Sequence, residues 1–88
     1  MSVTVYWRVV AKSRHSDDVG WGSSFLEALR AVFGETPIRL VAADSDKLRA
    51  MDVAWRIGGG IYRSDNHPFD ALADAVETHG TIEVWGES

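Results

Sequence analysis

The fold predicted for this chain depends most on residues 49–57, RAMDVAWRI. Apolar side chains recur here at every second position: Met51, Val53, Trp55 and Ile57. Such alternation is typical of a β-strand with one buried face. Residues 37–43 also read as a strand, and a polar turn separates the two segments. The two strands are therefore predicted to form a β-hairpin.

A strand and a helix are predicted on the N-terminal side of this hairpin. Residues 3–11 alternate polar and apolar side chains, which indicates a strand. Ser24 and Glu27 then have the spacing of a capping box, in which each side chain bonds the other residue's backbone N–H at a helix start. Gly34 supplies the left-handed residue that ends such a helix. Residues 12–23 are polar and glycine-punctuated, and are predicted to form a loop.

A second helix and a last strand are predicted on the C-terminal side. Pro68 suits the first position of a helix, and Asn66 or His67 can cap it. Apolar residues then recur at helical spacing until Gly80 ends the pattern. Residues 81–85 alternate again and are predicted to form the last strand.

The predicted order of elements is therefore β-α-β-β-α-β. This order is typical of an α+β two-layer sandwich of the ferredoxin-like type. We expect a four-stranded antiparallel sheet in the order 4-1-3-2, with two helices on one face and the first and third strands at the centre. At 88 residues the chain is predicted to be a single compact domain, residues 1–88.

The composition favours a cytoplasmic protein without a cofactor. The chain has no cysteine, which excludes disulfides, thiolate zinc sites and cysteine nucleophiles. No apolar run approaches the roughly 20 residues that a membrane span needs, so no membrane partner is expected. The net charge of −4, with acidic and basic residues interleaved, disfavours binding to a nucleic-acid backbone.

One candidate site lies where two loops, residues 12–23 and 58–67, are predicted to meet beside the starts of both helices. Helix N-termini and arginine side chains bind phosphate or carboxylate oxygens, so an anion is expected to contact Arg14, Arg63 and His67. The same loops offer imidazole and carboxylate ligands to a divalent cation: His15, Asp17, Asp18, Asp65 and His67. Because that spacing matches no recognised motif, neither a metal site nor a catalytic set is predicted.

A second candidate site is the sheet face that the helices leave open. Alternation places Tyr6 and Arg8 on this face, together with Arg56 and Trp85. Tyrosine, tryptophan and arginine are the residues that most often anchor protein interfaces. Trp21, between two glycines in the long loop, either fills the core or stands out as a further anchor. Trp85 is expected on an edge strand, which would allow a homodimer through that edge.

These patterns predict a non-enzymatic protein-binding module, of the kind found among regulatory subunits, antidotes and inhibitors. The alternative is a small enzyme or sensor that binds an anion or a divalent metal at the loop junction. The third interpretation is an RNA-binding sheet face, because open sheets with aromatic residues stack bases. The net charge disfavours RNA, as do Ala54 and Arg56 where a stacking ring is expected.

Overall fold

A computed structural model describes residues 3–11, 14–15, 20–21, 23–58 and 67–87, with the backbone alone for residues 14–15, 20–21 and 23. Within these residues the protein is a small α+β fold. The strands are β1 (Thr4–Val9), β2 (Arg14–His15), β3 (Gly20–Trp21), β4 (Ile38–Leu40) and β5 (Ile82–Glu87). The helices are α1 (Ser23–Phe33), α2 (Ser45–Gly58) and α3 (Pro68–His79), with a 3₁₀ turn at Ala42–Asp44.

The predicted third strand, residues 49–57, is wrong, because this segment lies within α2. The residues that α2 buries or half-buries recur at helical intervals of three and four, as expected for one face of a helix: Ser45, Leu48, Arg49, Met51, Asp52, Trp55 and Arg56. Val53 and Ile57, which the strand pattern would bury, are instead 47% and 81% exposed. The same nine residues therefore fit both the alternating pattern of a strand and the spacing of a helix. The buried face of that helix includes a polar residue, Asp52.

The predicted ferredoxin-like fold, with two helices and a four-stranded sheet in the order 4-1-3-2, is therefore also wrong. β1 and β4 each pair antiparallel with β5, so the three main strands have the order β1-β5-β4. The last strand is therefore central, and Trp85 does not lie on an edge. The physical reason is that the segment predicted to pair with β4 in a hairpin is helical, in α2, and β5 pairs with β4 instead.

Two short strands lie within residues 12–23, which were predicted to form only a loop. β2 pairs with one end of β1, where Arg8 is opposite His15. β3 pairs with the other end, where Thr4 is opposite Trp21. Both short strands therefore pair with β1 on the side that β5 leaves open.

Backbone contacts divide the chain into two compact units, Met1–Leu40 with Thr81–Ser88, and Val41–Gly80. In the first unit, α1 packs over one face of the β1-β5-β4 sheet. Val5 and Val9 are buried on this face, and Phe25 and Leu29 of α1 are fully buried. The predicted burial of alternate residues in the first strand is confirmed for these two valines. Gly34, with φ 101°, ends α1 as predicted.

The second unit pairs α2 with α3. The rings of Trp55 and Phe69 meet edge to face, with their centroids 5.5 Å apart. Pro68 occupies the first turn of α3, and Gly80 follows its last residue with φ 84°. Both predicted ends of this helix are confirmed. Among the described residues, no helix has the length and apolar character needed to cross a bilayer.

Candidate functional site

The face of the β1-β5-β4 sheet opposite α1 carries an ordered set of polar and aromatic side chains. Successive residues of a strand point to opposite faces, and residues paired across strands share a face. The side of the sheet opposite Val5 and Val9 therefore holds three rows. We call it the outer face, and it comprises Thr4, Tyr6, Arg8, Arg39, Glu83, Trp85 and Glu87.

The middle row of the outer face is a pair of aromatic rings. Tyr6 of β1 lies opposite Trp85 of β5, and their rings stack with centroids 6.0 Å apart and planes inclined by 28°. The indole Nε1–H of Trp85 donates to the Glu87 carboxylate at 2.8 Å. Both rings are half-buried, so each presents part of its surface to solvent. The strand pairing therefore fixes a stacked aromatic platform.

The next row is an arginine–glutamate–arginine set that crosses all three main strands. Glu83 of β5 lies between Arg8 of β1 and Arg39 of β4. Arg8 donates through Nε at 3.0 Å and also through Nη2 to the same carboxylate oxygen, Oε1. Arg39 donates to the other oxygen, Oε2, at 3.5 Å. The hydrogen bond from Arg8 is the main reason that the pKa of Glu83 lies below its usual value, and Arg39 lowers it further.

The two arginines of this row differ in exposure. The side chain of Arg39 is 63% exposed and that of Arg8 is 32% exposed, whereas that of Glu83 is 16% exposed. Arg8 thus holds the Glu83 carboxylate at close range, whereas the contact of Arg39 with it is longer and more exposed. Its guanidinium carries five N–H donors in a planar arrangement, and the bond to Glu83 uses one nitrogen.

Three of the five predicted partner-binding residues come together on the outer face: Tyr6, Arg8 and Trp85. Arg56 was predicted on the same face but belongs to α2, so that placement is wrong. The backbone of Trp21 lies in β3, and its side chain is outside the described residues. Sequence reasoning missed Arg39 as a site residue, although its position between the buried Ile38 and Leu40 is a usable signal.

The helix pair of the second unit contains a different polar cluster, centred on the fully buried Asp52. Its Oδ2 lies 3.1 Å from Nε of Arg56 and 3.2 Å from Nδ1 of His67. Its Oδ1 accepts the backbone N–H of Asp70 at 3.3 Å. His67 precedes α3 but makes no side-chain capping bond to that helix. Asp52 thus satisfies a free N–H of the first turn of α3, which is the role predicted for Asn66 or His67.

Arg49 joins the exposed sides of the same two helices. It donates to Asp74 at 2.8 Å and to Glu77 at 2.7 Å, and it lies 3.6 Å from Asp70. The hydrogen bonds that Arg49 donates to Asp74 and Glu77 raise the pKa of Arg49 above its usual value. One arginine of α2 therefore contacts three carboxylates of α3.

Asp52, His67 and Asp70 also offer one ligand atom each within 4.8 Å of one another. An imidazole with two carboxylates suits zinc or manganese. Arginine nitrogens, however, lie 3.1 Å from the Asp52 carboxylate and 3.6 Å from the Asp70 carboxylate. A cation would bring a second positive charge beside these guanidinium groups. We therefore assign this cluster to helix pairing.

The predicted site at the junction of residues 12–23 and 58–67 rests on residues that are mostly outside the described ranges. Arg63, Asp17, Asp18 and Asp65 lie there, as do the side chains of Arg14 and His15. The anion-binding roles of Arg14, Arg63 and His67 stay predictions. No protein-family model, curated protein or solved structure matches this chain.

Proposed function

We propose that this protein acts by binding another protein through the outer face. The observation that supports the proposal is the stacked pair of Tyr6 and Trp85 beside the row formed by Arg8, Glu83 and Arg39. Tryptophan, tyrosine and arginine are the residues most enriched at the energetic centres of protein interfaces. Here all three types lie side by side on one sheet surface.

The geometry favours binding because these side chains are already ordered. Association costs about 0.5–1.5 kcal/mol for each flexible side chain that becomes fixed. The Tyr6 ring is held against Trp85, and Arg8 is held by Glu83. A partner that covers these groups would therefore lose less free energy to side-chain ordering than on a surface of unpaired side chains.

The same contacts favour a binding role over catalysis. Glu83 is the carboxylate at the centre of the charged row, and its lowered pKa makes it a weak proton acceptor. Its two oxygens are already engaged by arginines. We propose the cytoplasm as the compartment, because a chain without cysteine suits a reducing environment.

The test compares proteins that co-purify with the wild-type chain and with two sets of variants. Trp85→Ala and Tyr6→Ala remove the aromatic rings of the outer face. Ile57→Ser is the matched control, because Ile57 is an exposed apolar residue of α2, at 81% exposure. A circular dichroism melt of each variant separates loss of binding from loss of folding.

We expect at least one protein to be retained by the wild-type chain and by Ile57→Ser but lost by both ring variants. Truncation of a central aromatic anchor costs 2 kcal/mol or more, which corresponds to binding that is roughly 30-fold weaker. The proposal is wrong if every captured protein is retained by the folded Trp85→Ala and Tyr6→Ala variants. Loss in Ile57→Ser alone would instead indicate binding through α2.

A further inference from the structure

We infer that the partner of the outer face is an acidic protein segment whose carboxylate binds Arg39 while a neighbouring apolar side chain packs on the Tyr6–Trp85 pair. This inference rests on the proposed function, because it names the chemistry of the partner at that same site.

The charge of the arginine–glutamate–arginine row supports the inference. Two guanidinium groups share the single carboxylate of Glu83 within this row, so one positive charge is left without a matching negative charge there. Arg8 holds Glu83 through two nitrogens, whereas Arg39 contacts it through one nitrogen at 3.5 Å. A second carboxylate would therefore form the most new hydrogen bonds at the exposed Arg39, since a guanidinium can bind a carboxylate through two parallel hydrogen bonds.

The distribution of charge on the outer face determines the orientation in which an acidic partner would bind. The other acidic residue, Glu87, lies on the opposite side of the aromatic pair, where it accepts the Trp85 Nε1–H. The face is thus positive at the Arg39 end, aromatic in the middle and negative at the Glu87 end. A partner carboxylate is attracted to the first end and repelled from the last.

The spacing of the rows sets the spacing expected in the partner. Alternate residues of a strand are about 6.8 Å apart, and Glu83 and Trp85 are two residues apart on β5. An extended partner segment places residues i and i+2 at the same separation. The expected segment therefore has an Asp or Glu two positions from a large apolar residue.

The probe is a displayed library of random peptides, selected on the immobilised full chain. The wild-type chain is compared with Arg39→Glu and Arg39→Gln on the outer face. Arg30→Glu is the matched control, because Arg30 is an exposed arginine of α1, in the same unit, and is paired with Glu35 at 3.0 Å. A thermal melt confirms that each variant is folded, and Arg39→Gln serves if Arg39→Glu does not fold.

We expect the wild-type chain to enrich peptides with an acidic residue two positions from an apolar one. Arg39→Gln should weaken binding of such a peptide about 5-fold, as for the loss of an exposed ion pair. Arg39→Glu should weaken it by roughly tenfold or more, since attraction becomes repulsion. The control Arg30→Glu should leave the affinity unchanged.

Other outcomes separate this inference from the proposed function. If the enriched peptides are apolar, contain no acidic residue and no longer bind Trp85→Ala, the inference of an acidic partner is wrong, but the proposal that the outer face binds a protein stands. Enrichment that is absent or insensitive to Trp85→Ala and Tyr6→Ala would overturn both. A parallel titration with fluorescent polyuridine completes the test, because RNA binding that depends on Trp85 would also overturn both.

Discussion

Glu83 and Asp52 are two carboxylates that arginine holds in opposite surroundings. Glu83 lies on the outer face between Arg8 and Arg39 and retains 16% exposure. Asp52 lies between α2 and α3, is fully buried, pairs with Arg56 and His67, and accepts the backbone N–H of Asp70. An arginine–carboxylate pair therefore does not by itself reveal its role. Burial makes the Asp52 cluster part of the fold, whereas the Glu83 row stays partly exposed to solvent.

The substitution Asp52→Ala should have the largest effect on stability. It removes the carboxylate that pairs with Arg56 and His67 and accepts the backbone N–H of Asp70, which costs about 3 kcal/mol of unfolding free energy. Urea denaturation followed by circular dichroism measures this loss. Asp46→Ala is the control, because Asp46 is exposed in the first turn of the same helix and should change stability by no more than about 0.5 kcal/mol. Equal effects of the two substitutions would contradict the structural role of Asp52.

The substitution Gly86→Ala tests how closely side chains pack on the face of the sheet opposite Glu83. A Cβ at Gly86 would lie 2.7 Å from Cδ2 of Leu26 and 2.8 Å from Cγ1 of Val3. Both contacts are the ends of flexible side chains, so we expect a loss of about 1 kcal/mol from overpacking. The same denaturation experiment applies, with Gly58→Ala as control, since a Cβ there meets nothing within 4 Å. A stabilised Gly86→Ala variant would show that α1 does not pack closely on this face.

The substitution Glu83→Gln should have the smallest effect of the three and should depend on salt and pH. Because Arg8 and Arg39 lower the folded-state pKa of Glu83, its contribution to stability is present above the pKa of an unfolded glutamate, about 4.3. The contribution is lost as the pH falls through the lower folded-state pKa. The difference in melting temperature between the wild-type chain and Glu83→Gln should therefore shrink in that acidic range and in concentrated salt.

The control for this measurement is Glu27→Gln, which changes an exposed glutamate of α1. Its melting temperature should stay close to that of the wild-type chain measured under the same conditions. A Glu83→Gln variant that loses as much stability as Asp52→Ala would remove the distinction between the two carboxylates.

About half of the outer face was predictable from the sequence. Alternation placed Tyr6, Arg8 and Trp85 on one surface, and the structure brings them together. The predicted order 4-1-3-2 already placed the first and last strands side by side, but the stacking of Tyr6 on Trp85 was not predictable, because it also needs a particular register between β1 and β5. Arg8 and Glu83 are 75 residues apart in the chain, and no local pattern relates them.

The second unit was less predictable. The strand predicted over residues 49–57 hid the helix that carries Asp52 and Arg56. A buried aspartate on an amphipathic helix weakens the apolar pattern that identifies such a helix. The capping contact between Asp52 and Asp70 spans 18 residues, so its discovery required the pairing of α2 with α3.

Local patterns of residues were sufficient to predict the features that depend on backbone chemistry. These include the strand near the N-terminus, the first-turn proline of α3, and the glycines at positions 34 and 80 that end two helices. Tertiary structure alone decided that residues 49–57 are helical, that the last strand is central, and which arginine meets which carboxylate. The physical reason is that a short alternating segment fits either a strand or a helix, and the choice between them depends on which surfaces of distant segments it can bury.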